Sequence, residues 1–102
     1  MPATAGPALA TRLLPSAPNP FADATAIGFE LERARPVEVT VYDLAGHRVR
    51  RVAAGLYGAG PHSESWDGRS DAGRLMPSGV YAVRLRLEAG QATHAGKLIL
   101  MR

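Results

Sequence analysis

The chain has 102 residues, with 12 lysines and arginines against 9 acidic residues, 11 glycines, 8 prolines and no cysteine. This length describes one small domain, too small for a deep, water-excluded catalytic cavity. The lack of cysteine excludes disulfides, thiolate zinc sites and a cysteine nucleophile. The longest apolar runs are far shorter than the ~20 residues of a membrane-spanning helix, so we expect no membrane insertion.

Glycine and proline cut the sequence into short segments of alternating polarity, a pattern typical of β-strands. Residues 1–8 are rich in Ala and Pro and have no period, so they predict an N-terminal arm or linker ahead of a domain over residues 9–102. The first strands are predicted at residues 9–14, an edge strand ended by prolines, and at residues 25–31, where alternate apolar residues share one face.

Residues 37–43 show the cleanest alternation of the first half of the chain. Three valines lie on one side, and Glu38, Thr40 and Tyr42 lie on the other. The period of two predicts a strand with the valines in the core and the polar side chains in water.

A tight turn is predicted at Asp43-Leu44-Ala45-Gly46. An Asp at the first position accepts from the backbone, and a Gly at the fourth position adopts a left-handed conformation without strain. Residues 47–54 should therefore return as a hairpin partner. Their arginines and thin apolar face predict an edge strand, because charge discourages pairing with other molecules.

Three more strands complete the prediction. Residues 62–66 end at Trp66, whose ring we expect to cover one end of the core. Residues 80–88 alternate cleanly, and a short Ala89-Gly90 connection leads to residues 91–102, where both parities are apolar and the buried face stays open. Seven short strands without a helical period predict an all-β fold, an immunoglobulin or fibronectin III-like antiparallel sandwich.

Metal-binding and catalytic patterns are weak. Asp67 and Asp71 lie in a glycine-containing loop and form a calcium candidate, but the spacing differs from a calcium loop and the closing bidentate Glu is missing. Backbone capping in turns is the favoured interpretation of both residues. The three histidines lie in separate segments, and no nucleophile triad or carboxylate pair stands out. We therefore expect no metal, no cofactor and no enzymatic activity.

The arginines raise the question of nucleic acid. Five of them could share one sheet, but Glu38 projects toward the same face, so cross-strand ion pairs explain the pattern. The net charge is only +3 and no set of exposed stacking aromatics accompanies the arginines, which argues against a nucleic-acid partner. The five residues are Arg48, Arg50, Arg51, Arg84 and Arg86.

Five motifs follow one another at suitable spacing, and together they carry a family resemblance. They resemble the immunoglobulin-like domain of flagellar hook-capping proteins and, equally, the C-terminal sorting domains of bacterial type IX secretion cargo. The resemblance covers residues 9–102. The motifs are Pro18-Asn19-Pro20-Phe21, Val41-Tyr42-Asp43-Leu44-Ala45-Gly46, Trp66-Asp67-Gly68-Arg69, Pro77-Ser78-Gly79-Val80-Tyr81 and Lys97-Leu98-Ile99-Leu100.

The resemblance implies a set of recognition residues in the Pro-Asn-Pro, Gly-Val-Tyr and Lys-apolar segments. The residues themselves suggest why: two prolines fix an extended segment, glycine allows a tight start to a central strand, and the tyrosine buries its ring. A last strand at a sheet edge also recruits partners by strand addition. The implied residues are Pro18, Asn19, Pro20, Gly79, Val80, Tyr81, Lys97, Leu98, Ile99 and Leu100.

The resemblance implies a module of a longer, secreted or surface-located bacterial protein. Only about eight unpatterned residues precede the sandwich, which favours a C-terminal sorting or anchoring module recognised by the export machinery. The Trp-Asp-Gly-Arg loop resembles the hook-cap branch at least as much, so an alternative stays open: a structural or adhesive module that joins domains or subunits, including one of the hook-cap kind. In both cases the predicted contacts are edge strands. A calcium-stiffened surface domain is a further alternative.

Overall fold

The computed structural model describes residues 10–87 and 93–102, in which the chain forms seven strands arranged in two sheets. The three-stranded sheet has the order β1-β2-β5, the four-stranded sheet has the order β4-β3-β6-β7, and neighbouring strands are antiparallel. The strands are β1 Arg12–Leu13, β2 Thr25–Leu31, β3 Arg35–Tyr42, β4 Arg48–Tyr57, β5 Gly60–Trp66, β6 Gly79–Leu87 and β7 Thr93–Leu100.

This architecture confirms the predicted all-β, immunoglobulin-like sandwich of seven strands. The predicted arm over residues 1–8 and the Ala89-Gly90 connection lie outside the described residues. The described part of the chain contains no helix long and apolar enough to cross a membrane.

The core lies between the two sheets and is filled by alternate residues of the strands. The valines of β3 are buried, as their period of two predicts, and β7 turns Leu98 and Leu100 inward while Ile99 stays partly exposed. Burial of one such side chain stabilises a fold by roughly 1.5–3 kcal/mol. The fully buried apolar side chains are Ile27, Phe29, Leu31, Val39, Val41, Trp66, Val83, Leu85, Leu98 and Leu100.

Strand β4 does not alternate because it carries two β-bulges. The pairing with β3 skips Val49 between Arg48 and Arg50, and it skips Val52 between Arg51 and Ala53. Each bulge shifts the parity of the strand by one residue. As a result Arg48 and Arg51 both lie opposite outward-facing residues of β3, and β4 is the edge strand that its thin apolar face predicted.

Thr40 corrects the expectation that the polar side of β3 meets water. It is only 2% exposed, because it pairs with Arg51 on one side and with Arg84 on the other, and long arginine stems cover such positions. Its Oγ1 is the one buried side-chain polar atom of the described residues without a hydrogen-bond partner. Thr25 is equally buried, but its Oγ1 donates to the carbonyl of Pro18 at 2.7 Å.

The turn between β3 and β4 has the predicted chemistry. The amide of Gly46 donates to the carbonyl of Asp43 at 3.0 Å, and Gly46 has a φ of +89°. The carboxylate of Asp43 accepts from the amides of Ala45 and His47, both at 2.9 Å. The hydrogen bond from the His47 amide is the main reason why the pKa of Asp43 lies below its usual value.

Candidate functional site

The outer face of the four-stranded sheet carries a dense group of cations. Cross-strand pairing places Arg51, Thr40 and Arg84 in one row of this face. The next row contains Arg48, Tyr42, Ala82 and Lys97, and the row on the opposite side contains Glu38 beside Arg86. We call this surface the basic face, and its cations are Arg48, Arg51, Arg84, Arg86 and Lys97.

Glu38 binds two cations of the basic face, as the sequence predicted. Its Oε2 lies 2.8 Å from Nε of Arg51 and its Oε1 lies 3.6 Å from Nη1 of Arg86. Asp71 reaches in from the side, with Oδ2 at 3.2 Å from Nε of Arg48. These pairs are largely exposed, and each contributes only about 0.2–1 kcal/mol to stability.

Two cations of the basic face have no carboxylate partner within the described residues. The guanidinium of Arg84 lies over the ring of Tyr42, with Cζ 5.1 Å from the ring centroid, a cation–π contact. Lys97 is exposed and forms no ion pair among the residues that the structure describes. The unpaired positive charge is therefore concentrated on the β6–β7 side of the face.

The side chain of Asn19 binds the outer edge of β7 as a neighbouring strand would. Its Nδ2 donates to the carbonyl of Lys97 and its Oδ1 accepts from the amide of Ile99, both at 2.8 Å. Phe21 continues the contact, since its amide donates to Ile99 at 2.9 Å and its carbonyl accepts from Met101 at 2.8 Å. The expected open edge is therefore absent over residues 97–101. The Pro-Asn-Pro motif pointed to this segment, but it did not predict that Asn19 binds the edge of β7.

Asp71 closes the opposite edge of the same sheet in a similar way. Its amide donates to the carbonyl of Val49 at 2.8 Å, and its Oδ1 accepts from the amide of Arg51 at 3.0 Å. The Asn19 and Asp71 contacts lie in neighbouring rows at one end of the sheet. At this end, both outer edges are occupied by the chain's own loops, which limits strand addition there.

The two calcium candidates are engaged with backbone amides and arginines. Oδ1 of Asp67 accepts from the amide of Arg69 at 3.1 Å, while both oxygens of Asp71 are used as described above. These contacts support the capping interpretation. Within residues 10–87 and 93–102, no three or more His, Cys, Asp or Glu side chains form a group that could hold a metal ion.

Tyr81 lies in the core, where its side chain is buried. Its ring packs edge-on against Trp66 with centroids 5.4 Å apart, and its hydroxyl donates to the carbonyl of Pro77 at 2.6 Å. Burial, followed by the charge of Asp43, raises the pKa of Tyr81. Trp66 covers the end of the core as expected, with Phe21 on its other side at a centroid distance of 5.5 Å.

The remaining recognition residues are divided between core and surface. Pro18, Pro20, Gly79 and Val80 are exposed, whereas Leu98 and Leu100 are buried. The predicted steric need for glycine at the start of β6 is not found: a Cβ on Gly79 would meet no atom within 4 Å, and its φ is not positive. The ten residues thus do not form one continuous surface.

Sequence reasoning missed Arg102, which ties three loops together at one end of the sandwich. Its guanidinium donates to the carbonyls of Gly68 at 3.0 Å, Met76 at 3.3 Å and Ala22 at 3.4 Å. Gly68 is the glycine that this contact requires. Its φ is +78°, and a Cβ there would lie 2.6 Å from Nη2 of Arg102.

A known domain family accounts for this fold and its motifs. The model of the FlgD Ig-like domain family matches residues 17–91. The chain belongs to the FlgD Ig-like domain family. The chain is 34% identical over 67 residues to the basal-body rod modification protein FlgD of Salmonella typhimurium and, equally, to that of Salmonella typhi. Each match covers 65% of this chain but only 29% of the length of the curated relative.

Solved structures of FlgD and of two Porphyromonas gingivalis proteins share this fold. FlgD from P. aeruginosa superposes with a TM-score of 0.61 at 30% identity, over 76% of this chain and 61% of that one. Dimeric latent PorU from Porphyromonas gingivalis gives a TM-score of 0.73 at 20% identity, over 95% of this FlgD-family chain and 10% of PorU. PorZ, described as a surface component of the type-IX secretion system of the same organism, superposes with a TM-score of 0.57 at 20% identity, over 88% of this chain and 11% of PorZ.

Proposed function

We propose that this FlgD Ig-like domain is a non-catalytic structural module that joins its protein to neighbouring subunits or domains in an exported assembly of the flagellar hook-cap kind. The family match over residues 17–91 is the observation that carries this proposal. The geometry supports it, because the interior is filled by side chains and the polar groups of the loops are engaged in capping. Such a body acts through its surface.

The sorting function receives less support. Recognition of the last strand needs free main-chain groups, whereas Asn19 and Phe21 already bind the outer edge of β7 at residues 97, 99 and 101. The likeness to PorU and PorZ is at 20% identity, which indicates a common fold and carries no role. The sorting hypothesis is therefore kept as an alternative that the reporter fusion below tests.

A domain exchange tests the structural function. The Ig-like region of Salmonella typhimurium FlgD is replaced by this chain, and a matched control carries an unrelated immunoglobulin-like sandwich of equal length. We expect the first chimera to restore swimming above the level of a FlgD lacking the region, and the control to restore none. A secreted, folded chimera that swims no better than the control contradicts the proposal.

A reporter fusion tests the sorting alternative. Residues 9–102 are fused to an inert reporter with its own inner-membrane export signal, in a host with type IX machinery. The structural proposal predicts that the reporter stays in the periplasm. A reporter that reaches the cell surface, and does so only with the intact domain, makes sorting the function of this chain.

A further inference from the structure

The net positive charge of this chain is concentrated on one surface. The five cations of the basic face are opposed by two carboxylates, Glu38 and Asp71, which leaves three net positive charges. This equals the formal net charge of the whole chain, +3, so the rest of the sequence is neutral as a set. A face that concentrates the net charge of a domain steers encounters with surfaces of opposite sign.

The other sheet presents a different outer face. Ala26 and Gly28 alternate with buried residues of β2, and they pair with exposed Ser65 and Ser63 of β5. The only ion pair on that side within the described strands joins Arg12 to Glu30 at 3.0 Å. The two outer faces of the sandwich therefore differ in charge and in side-chain size, and of the lysines and arginines that the described strands present on these two faces, those without a carboxylate partner lie on the basic face.

The basic face has the composition of a protein-binding surface. Arginine and tyrosine are enriched at interface hot spots, and here the guanidinium of Arg84 is held over Tyr42 by the cation–π contact. The stacking limits the rotamers of Arg84 and lowers the entropy lost on binding. The donors of Arg84 and of Lys97 remain without a carboxylate among the described residues, and a carboxylate is the partner that such donors fit.

The chemistry of the face distinguishes the possible partners. A second copy of this chain supplies no overall excess of carboxylates, because the charges outside the basic face sum to zero. Nucleic acid needs more net positive charge and free stacking rings, whereas Tyr42 is half-buried and already covered by Arg84. A protein partner needs only a few carboxylates positioned opposite Arg84 and Lys97 to pair with this face.

We propose that the basic face, centred on Arg84 and Lys97, is the docking surface of this domain for a carboxylate-rich surface of a neighbouring protein subunit. This inference rests on the proposed structural function and adds the face and the partner chemistry to it.

The binding test uses the whole chain and a fluorescein-labelled oligoglutamate of about 20 residues as the probe, with fluorescence anisotropy at low salt. The variant Arg84→Gln with Lys97→Gln removes two charges from the face. The control Arg33→Glu, at an exposed position after β2, lowers the net charge by the same two units. Circular dichroism and thermal unfolding establish that both variants are folded.

We expect the double variant to bind oligoglutamate about tenfold more weakly than the wild-type chain, and Arg33→Glu to bind less than about twofold more weakly. Equal losses in the two variants overturn the proposal, because net charge alone then explains binding. Tighter binding of a DNA duplex of about 20 base pairs than of the peptide, at the same salt, overturns it in favour of nucleic acid. A concentration-dependent dimer that the double variant abolishes overturns it in favour of a second copy.

This assay needs no export machinery, so it fails or succeeds independently of the domain exchange. Probe binding confined to the face together with a non-swimming chimera refutes the structural function and leaves the docking chemistry standing. A swimming chimera whose domain binds the probe no better than the double variant refutes the docking surface alone.

Discussion

The same substitution at two buried threonines should change the free energy of unfolding in opposite directions. Thr40 and Thr25 are both 2% exposed and both lie in strands, but Oγ1 of Thr40 has no partner, whereas Oγ1 of Thr25 donates to Pro18 at 2.7 Å. Valine has nearly the same shape as threonine and favours strands. We expect Thr40→Val to raise the free energy of unfolding and Thr25→Val to lower it.

The magnitudes follow from the hydrogen bonds. Burying a hydroxyl without a partner costs about 1–3 kcal/mol, so removing it from Thr40 should stabilise the domain by about 1–2 kcal/mol. Thr25→Val loses a hydrogen bond and leaves the carbonyl of Pro18 with one partner fewer, a loss of about 1–2 kcal/mol. For a domain of this size, 1 kcal/mol corresponds to roughly 4 °C or more in Tm.

Urea unfolding followed by the fluorescence of Trp66, the sole tryptophan, measures both changes. The m-value should stay constant, so that a shift of the midpoint reports stability alone. The reasoning is refuted if Thr40→Val shifts the midpoint downward by as much as Thr25→Val. That result would mean that the hydroxyl of Thr40 contributes a favourable interaction.

Three further predictions concern the turns and the end of the sandwich. Asn19→Ala removes both contacts to β7 and should lower the free energy of unfolding by about 1–2 kcal/mol, measured by urea midpoint, with Asn19→Asp retaining only the acceptor contact. The pKa of Asp43 is lowered from 3.8, so its carboxylate stabilises the fold above that pH, and this stabilisation is lost as the pH falls through the lowered pKa. Asp43→Asn should therefore lower the Tm at neutral pH. The difference in Tm between the variant and the wild-type chain should become smaller in acid. Gly68→Ala places a side chain against Arg102 in a left-handed backbone conformation and should lower the free energy of unfolding by about 1–3 kcal/mol. Gly79→Ala, where a Cβ meets open space, should lower it by less than about 1 kcal/mol, and urea midpoints measure both changes.

The strands were predictable from the sequence because their burial has a local cause. The alternation of Val37, Val39 and Val41 fixes one face of β3 whatever the rest of the chain does. The inward face of β7 was not predictable from its own residues, because Leu98 and Ile99 are both apolar. It depends on packing against the other sheet, and the chain's Asn19–Phe21 segment then covers the outer edge.

The contacts at the two sheet edges were beyond sequence reasoning for a physical reason. Asn19 binds main-chain groups 78 and 80 residues away, and such a partner is unspecified until both sheets have formed. The burial of Thr40 was hidden in the same way, because arginines two strands apart cover it. The ion pairs of Glu38 were predictable, since neighbouring strands in the expected order bring these charges together.

Swimming of chimeric Salmonella typhimurium FlgD tests most directly whether this domain joins subunits through the basic face. Three versions are compared: the chain unchanged, the chain with Arg84→Gln and Lys97→Gln, and the chain with Arg33→Glu. We expect the first and third to swim alike, and the second to be secreted at the same level but to swim poorly. Equal swimming of all three versions would contradict the assignment of the subunit contact to this face.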